Sequence, residues 1–226
     1  MEFKGFNEES FRFLTELGFN NNKTFFEANK QRYIDHVKTP MTALAEAIMP
    51  TMLHIDPDFN PKLSQVVSRI YRDARRTHGI DPYRNHAWLG FKHPQANVSD
   101  AFSMFFEIEP TGYGYGMGCY APTAAVMRPI HERILADPAR FLSLAHAPGM
   151  ERFALEGELY KKDRCPQADE ALKPYLNRRS LSWCFYSGEL GRLTDGEAFL
   201  QELKTAMLDL AALYQYMSFS LDIGQF

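Results

Sequence analysis

Residues 68–86, SRIYRDARRTHGIDPYRNH, gather Arg69, Arg72, Arg75, Arg76 and Arg84, with Asp73 and Asp81 as the only acids. Guanidinium groups present fixed, forked donors that suit phosphate or carboxylate. Tyr71 and Tyr83 add hydroxyls and stacking surface. Asp73, ionised beside arginines, could orient them, act as a base or help to hold a metal. His78 and His86 could move protons, but no ligand-like spacing supports a metal site, and none is expected. The structural alternative is an internal network of ion pairs that fixes a loop, with Asp73 and Asp81 neutralising arginines.

A second basic stretch, residues 161–179, has Lys161, Lys162, Arg164, Lys173, Arg178 and Arg179 against Asp163, Asp169 and Glu170. The chain as a whole carries a net charge of −3, so the positive charge is concentrated in these two places. Sharing one anion would stabilise both excesses, and the two stretches are therefore expected to meet, with Arg178 and Arg179 across a cleft from Arg69 and Arg72. An acidic chain with pI near 6.2 argues against a broad nucleic-acid surface.

Common catalytic frameworks leave no mark. There is no phosphate-binding G-x-x-x-x-G-K-[ST] loop, H-E-x-x-H helix, G-x-S-x-G elbow or C-x-x-C pair, and no cofactor is implied. Gly112, Gly114, Gly116 and Gly118 recur at a spacing of two, so in a strand they share one nearly bare face, opposite Tyr113, Tyr115, Met117 and Cys119. That face is either the seat of a flatly packed helix or the floor of a ligand groove.

The elements that must position these residues are legible in outline. A helix is expected over 8–17, stopped by Gly18, and a second after the asparagines at 20–22. Helix resumes from Thr39-Pro40 and ends before Pro50. SQVVSRIY and HAWLGFKH read as strands. AFSMFFEIE and YGYGMGCY form a hairpin around Pro110-Thr111-Gly112. Helices follow from a Thr123 cap, bent by Pro129, and from Asp137-Pro138. ERFALEGE and SLSWCFYS are further strands. Thr194-x-x-Glu197 is a capping box for a last helix whose Phe199, Leu203, Ala206, Leu210 and Leu213 form one stripe. The fold class is α+β: a mostly antiparallel sheet packed with helices from the N- and C-terminal segments, in one domain over 1–226.

With 226 residues the chain can bury about 70% of its unfolded surface. Cys119, Cys165 and Cys184 are an odd set without pairing motifs, which fits a reducing compartment and a cytoplasmic location. No signal peptide or membrane span is read from the chain.

Three segments together carry a resemblance: GFNEESFRFLTELGFNNNKTFFEANKQRYIDHV, SRIYRDARRTHGIDPY and GYGMGCYAP. In this order and spacing they resemble the uncharacterised bacterial domain-of-unknown-function 2461 family over nearly the whole chain. The family pattern S-R-I-x-R-D-x-R-F, followed by P-Y-K, is met at Ser68, Arg69, Ile70, Arg72, Asp73, Arg75, Pro82 and Tyr83. It is departed from at Arg76, where an aromatic is usual, and at Arg84, where lysine is usual. The family's tryptophan-phenylalanine pair is Phe25-Phe26 here. The resemblance implies a cytosolic α+β domain and carries no activity.

Two functions follow from the residues. The first is binding of a small phosphate- or carboxylate-bearing ligand through Arg69, Tyr71, Arg72, Asp73, Arg75, Tyr83, Arg178 and Arg179, with hydrolase or transferase chemistry open to it and Asp73 as the base. The second is a non-catalytic module whose arginines dock an acidic protein or a nucleic-acid backbone. Convergent arginines favour the first, and a flat basic stripe with steep salt dependence favours the second.

Overall fold

The computed structural model describes residues 1–73, 75, 80–94, 96 and 102–218. Among these, five strands form one antiparallel sheet in the order β1-β2-β3-β5-β4. They are β1 (Ala87–Phe91), β2 (Ser103–Glu109), β3 (Gly112–Gly118), β4 (Ala154–Glu156) and β5 (Ser182–Ser187). The hairpin β2-β3 has the register Glu109↔Gly112 through Ser103↔Gly118, as alternation around Pro110-Thr111 requires. Leu89, Met104, Phe106, Tyr113, Tyr115, Met117 and Trp183 belong to the core face and are buried.

Helices from both chain ends cover that face. Helix α1 (Glu8–Phe19) opens with a reciprocal cap, in which Asn7 accepts from the Ser10 N–H and Ser10 accepts from the Asn7 N–H. It runs past Gly18, and Asn20 closes it. The segment after the asparagines is broken rather than continuous: Asn22 caps Lys23–Ala28, a turn follows at Lys30–Tyr33, and a π-helical stretch covers Ile34–Lys38.

Helix α2 (Thr39–Ile55) does not stop at Pro50. A proline inside a helix costs about 3 kcal/mol. Leu44, Ile48, Met52 and Ile55 continue one buried stripe across it, and burying each such side chain contributes about 1.5–3 kcal/mol, so the stripe wins. Helices α3 (Ala124–Ala136) and α4 (Pro138–Ala145) follow the hairpin, and Pro129 lies within α3.

Helix α5 (Gly196–Ser218) packs on α2 and on β3, with the Phe199 ring 5.4 Å from Phe106 and 5.6 Å from Tyr113. Its cap is Asp195, which accepts from the Ala198 N–H, whereas the Thr194 hydroxyl turns back to the Gly191 carbonyl. The expected Thr194–Glu197 box is thus displaced by a better acceptor one residue later. Gly196 allows the N-terminal segment to approach, since a Cβ there would lie 2.5 Å from the Gly5 nitrogen.

The expected strand over SQVVSRIY is not a strand. Leu63–Val66 is a helical turn, and beyond it the chain makes single bridges, Val67 to Leu89 and Tyr71 to Tyr83. Val66 and Ile70 are both buried, and a strand would put residues four apart and the intervening Ser68 on the same side. ERFALEGE is likewise mostly non-strand, with only Ala154–Glu156 paired to β5.

No described helix is long and apolar enough to cross a membrane. The hydrophobic core is one contiguous cluster from Phe3 to Met217.

Candidate functional site

Residues 67 and 68 attach to the outer edge of β1, and beyond them the limbs 69–73 and 80–84 are joined by hydrogen bonds from Arg72 N to the Pro82 carbonyl at 2.9 Å and from Arg84 N to the Ile70 carbonyl at 2.8 Å. Asn21 clamps Tyr83 from both sides, donating to its carbonyl at 2.8 Å and accepting from its N–H at 2.9 Å. The Tyr83 ring stacks on Phe26 at 4.3 Å, with Tyr71 5.4 Å away. Tyr83 is therefore a buried anchor, while Tyr71 is half exposed.

The arginines divide into two kinds. Arg75 folds back on Asp73, with Nε–Oδ1 at 3.0 Å and Nη2–Oδ2 at 2.8 Å, and both Asp73 oxygens are engaged. That pair is an exposed local turn. Arg84 instead lies over the Trp88 ring, with its guanidinium carbon 5.1 Å from the ring centre, and donates to the carbonyls of Arg69 and Tyr71. Trp88 in turn stacks on His86 at 5.4 Å.

Arg69, Arg72 and Arg84 share one electrostatic neighbourhood. Burial is the main cause that lowers the Arg84 pKa, and the positive charges of Arg72 and Arg69 lower it further. Burial also lowers the His86 pKa, with Arg84 and Arg72 adding to the effect and Glu109 opposing it. Among the described residues no carboxylate forms an ion pair with Arg69, Arg72 or Arg84. Arg76 and His78 lie outside the described residues.

Arg178 and Arg179 do not join this cluster. Arg178 donates to the carbonyls of Pro174 at 3.0 Å, Gly157 at 2.6 Å and Leu155 at 3.4 Å, tying the β4 edge to the turn at Lys173–Leu176. Arg179 pairs with Glu158 at 3.1 Å. Both continue the β4-β5 ladder through the Leu159–Arg178 bridge, whereas residues 67–71 flank β1 at the opposite edge. With strands about 4.8 Å apart, the four steps from β1 to β4 place the two stretches some 20 Å apart. The expected shared site is corrected by strand order, which local charge does not encode.

The glycine strip has a third explanation besides helix or ligand. A Cβ on Gly116 would sit 2.1 Å from the Trp183 carbonyl oxygen, and one on Gly114 would sit 2.4 Å from the Tyr186 ring. The main chain of β5 and the Tyr186 ring occupy the space that side chains would need. Helix α5 meets β3 on its tyrosine face instead.

Sequence spacing did not single out the outer row that this arrangement creates. Trp88, Glu107, Gly114 and Tyr186 are successive partners across β1, β2, β3 and β5. Glu107, Glu109, Gly112, Gly114, Tyr186 and Gly188 help to line a cavity of about 270 Å³. The Glu107 pKa is raised, first by burial and then by Glu109, while the Tyr186 hydroxyl works the other way. Burial pushes the neighbouring Cys184 thiol up to about 11. The available signal was the alternation of Glu107 and Glu109 with Phe106 and Ile108. Among the described residues no three His, Cys, Asp or Glu side chains gather as metal ligands.

The chain is thus an α+β domain: an antiparallel sheet backed by helices from both ends, with arginines beside the β1 edge and a cavity lined by Glu107 and Glu109. The chain belongs to the DUF2461 family of conserved hypothetical proteins, whose profile matches residues 9–216. No curated protein matches the chain.

Proposed function

We propose that the protein binds a small anionic ligand, bearing phosphate or carboxylate, on Arg69, Arg72 and Arg84 at the β1 edge. One observation carries this reading: the positive charges of Arg72 and Arg69 reach Arg84, and among the described residues no ion pair joins a carboxylate to any of the three. A folded protein gains nothing from leaving like charges together, and an anion converts the repulsion into charge-assisted hydrogen bonds. Arg84 is held in place by Trp88 and two carbonyls, so part of the site is preorganised. The row from Trp88 through Glu107 to Tyr186 offers a stacking and hydrogen-bonding platform for the body of such a ligand.

The test is a thermal-shift screen with phosphate, sugar phosphates, nucleotides and di- and tricarboxylates, run beside Arg69→Ala and Arg72→Ala. A ligand at about a hundred times its dissociation constant adds about 2.7 kcal/mol, or about 5–11 °C for a chain of this size. A shift that is lost in both folded variants supports the reading. No shift with any anion, or one indifferent to both substitutions, overturns it. A response confined to polyanions, with affinity falling steeply with salt, would assign the loop to docking of a macromolecule instead.

A further inference from the structure

Helix α3 turns one face to the core and leaves the other to solvent. Met127, Ile130 and Ile134 are buried, whereas Ala125, Arg128, Glu132 and Leu135 are exposed. The four exposed residues follow one another at intervals of three, four and three, so they stand in one row along the helix. The same four, with Tyr160 from the loop beyond β4 opposite them, help to line a cavity of about 440 Å³. Leu135 is 49% exposed, and Leu159, next to Tyr160 in the chain, is 57% exposed. Apolar surface is thus presented on both walls.

The charges of the row are balanced and unspent. Arg128 and Glu132 lie one turn apart, in the order that favours a pair within one helix least. Among the described residues neither side chain takes part in an ion pair. A small anion in the cavity would meet Glu132, and a small cation would meet Arg128, so an ion of either sign is opposed by one of the two. What fits the row is another row, with a carboxylate facing Arg128, a guanidinium facing Glu132, a large apolar group facing Ala125 and a small one facing Leu135. The row itself, run antiparallel, has that pattern. Arg128 and Glu132 stand two residues before and two after position 130, and Ala125 and Leu135 stand five before and five after.

We infer that the exposed face of α3 is the interface of a homodimer, in which two copies of the helix cross antiparallel about a twofold axis at the level of position 130. Arg128 pairs with Glu132 of the partner subunit, and Glu132 pairs with Arg128 of the partner subunit. Leu135 settles over Ala125 of the partner subunit, whose small side chain leaves room for it. Each contact occurs twice, as a closed, self-complementary interface requires. The cavity between α3 and Tyr160 gives the partner's helix a concave seat. One helix face is a small contact, so the dimer is a weak one that dissociates on dilution. The inference does not rest on the anion site at the β1 edge.

Sedimentation velocity over a range from low micromolar to submillimolar protein tests this. The parent is expected to show a reversible monomer–dimer equilibrium within that range. Arg128→Glu and Glu132→Arg are at exposed helical positions, and their melting curves check that they fold. Each turns both attractive pairs into like-charge pairs, so each alone should weaken association at least about tenfold. Mixed in equal amounts, the two variants should regain a dimer, because one then presents carboxylates at both positions and the other guanidinium groups at both. Recovery in the mixture, after loss in each variant alone, is specific to antiparallel contact between positions 128 and 132. The inference is overturned if the parent stays monomeric throughout, if either single exchange dimerises as the parent does, or if the mixture fails to regain what the single exchanges lost.

Discussion

Arg84 lies over Trp88, its guanidinium carbon 5.1 Å from the ring centre, and from there it donates to the carbonyls of Arg69 and Tyr71. One residue thus both holds the loop against β1 and places its own charge beside two other arginines. Its hydrogen bonds are worth about 0.5–1.5 kcal/mol each and the ring contact about 0.5–1 kcal/mol. Part of that is offset by repulsion from Arg69 and Arg72. Arg84→Ala is expected to destabilise the fold by about 1–3 kcal/mol in urea denaturation. Arg69→Ala and Arg72→Ala should stay within about 0.5 kcal/mol of the parent or stabilise it slightly. Large losses in those two variants would make them loop-building residues and remove the basis of the anion site.

What could be read in advance was local. Phe102 to Glu109 alternates cleanly and ends at Pro110-Thr111-Gly112, so β2-β3 and its register follow from side-chain period and turn chemistry alone. The α5 stripe from Phe199 to Leu213 is equally explicit. Local rules failed where tertiary burial overrode them: α2 continues through Pro50 because Ile48, Met52 and Ile55 need the same core. Asp195 took the cap from Thr194 by a preference too small to rank from sequence. The arginines of 68–86 were legible as a cluster, and the charges of Arg69 and Arg72 do reach Arg84. The placement of Arg178 and Arg179 was not, since it depends on β5 inserting between β3 and β4. Glu107 was hidden because its partners Trp88, Gly114 and Tyr186 come from three other strands.

Glu107 should leave a signature in pH dependence. Its folded pKa is raised, so the folded state holds the proton over a range where the unfolded state has released it. Stability from this group is therefore greatest below the ordinary glutamate value and falls as pH rises from there through the folded pKa. Glu107→Gln, which stays neutral, should abolish that fall and melt higher than the parent at neutral pH. Melting curves of both proteins from mildly acidic to neutral conditions decide it: parallel profiles would mean that the carboxyl ionises as it does in water.

The three carbonyls bound by Arg178 give the second basic stretch a structural role that binding assays can separate from function. Arg178→Ala should cost about 2–4 kcal/mol, with the carbonyls of Leu155 and Gly157 losing a charged donor at the sheet edge. Arg179→Ala removes only the exposed pair with Glu158 and should change stability by less than about 1 kcal/mol. Neither variant, at a temperature where it is folded, should alter affinity for an anion whose binding depends on Arg72. Loss of that affinity in Arg179→Ala would show that the two edges communicate.

The glycine strip predicts an asymmetry between neighbouring positions on one strand. At Gly116 an added Cβ meets the Trp183 carbonyl oxygen at 2.1 Å, and main chain paired on both sides cannot move aside. At Gly114 the nearest atoms are the Tyr186 ring at 2.4 Å, the end of a half-exposed side chain that can rotate away, with the Phe185 carbonyl next at 3.0 Å. Gly116→Ala is expected to cost more than about 3 kcal/mol, and Gly114→Ala about 1–3 kcal/mol. The decisive comparison is a double-mutant cycle. If the ring is the obstacle, Gly114→Ala in a Tyr186→Ala background should cost at least about 1 kcal/mol less than in the parent, whereas Gly116→Ala should cost the same in both. Equal penalties for Gly114→Ala in the two backgrounds would mean that the β5 main chain, rather than Tyr186, dictates glycine along the whole strip. The cavity beside Glu107 would then owe its shape to strand pairing alone.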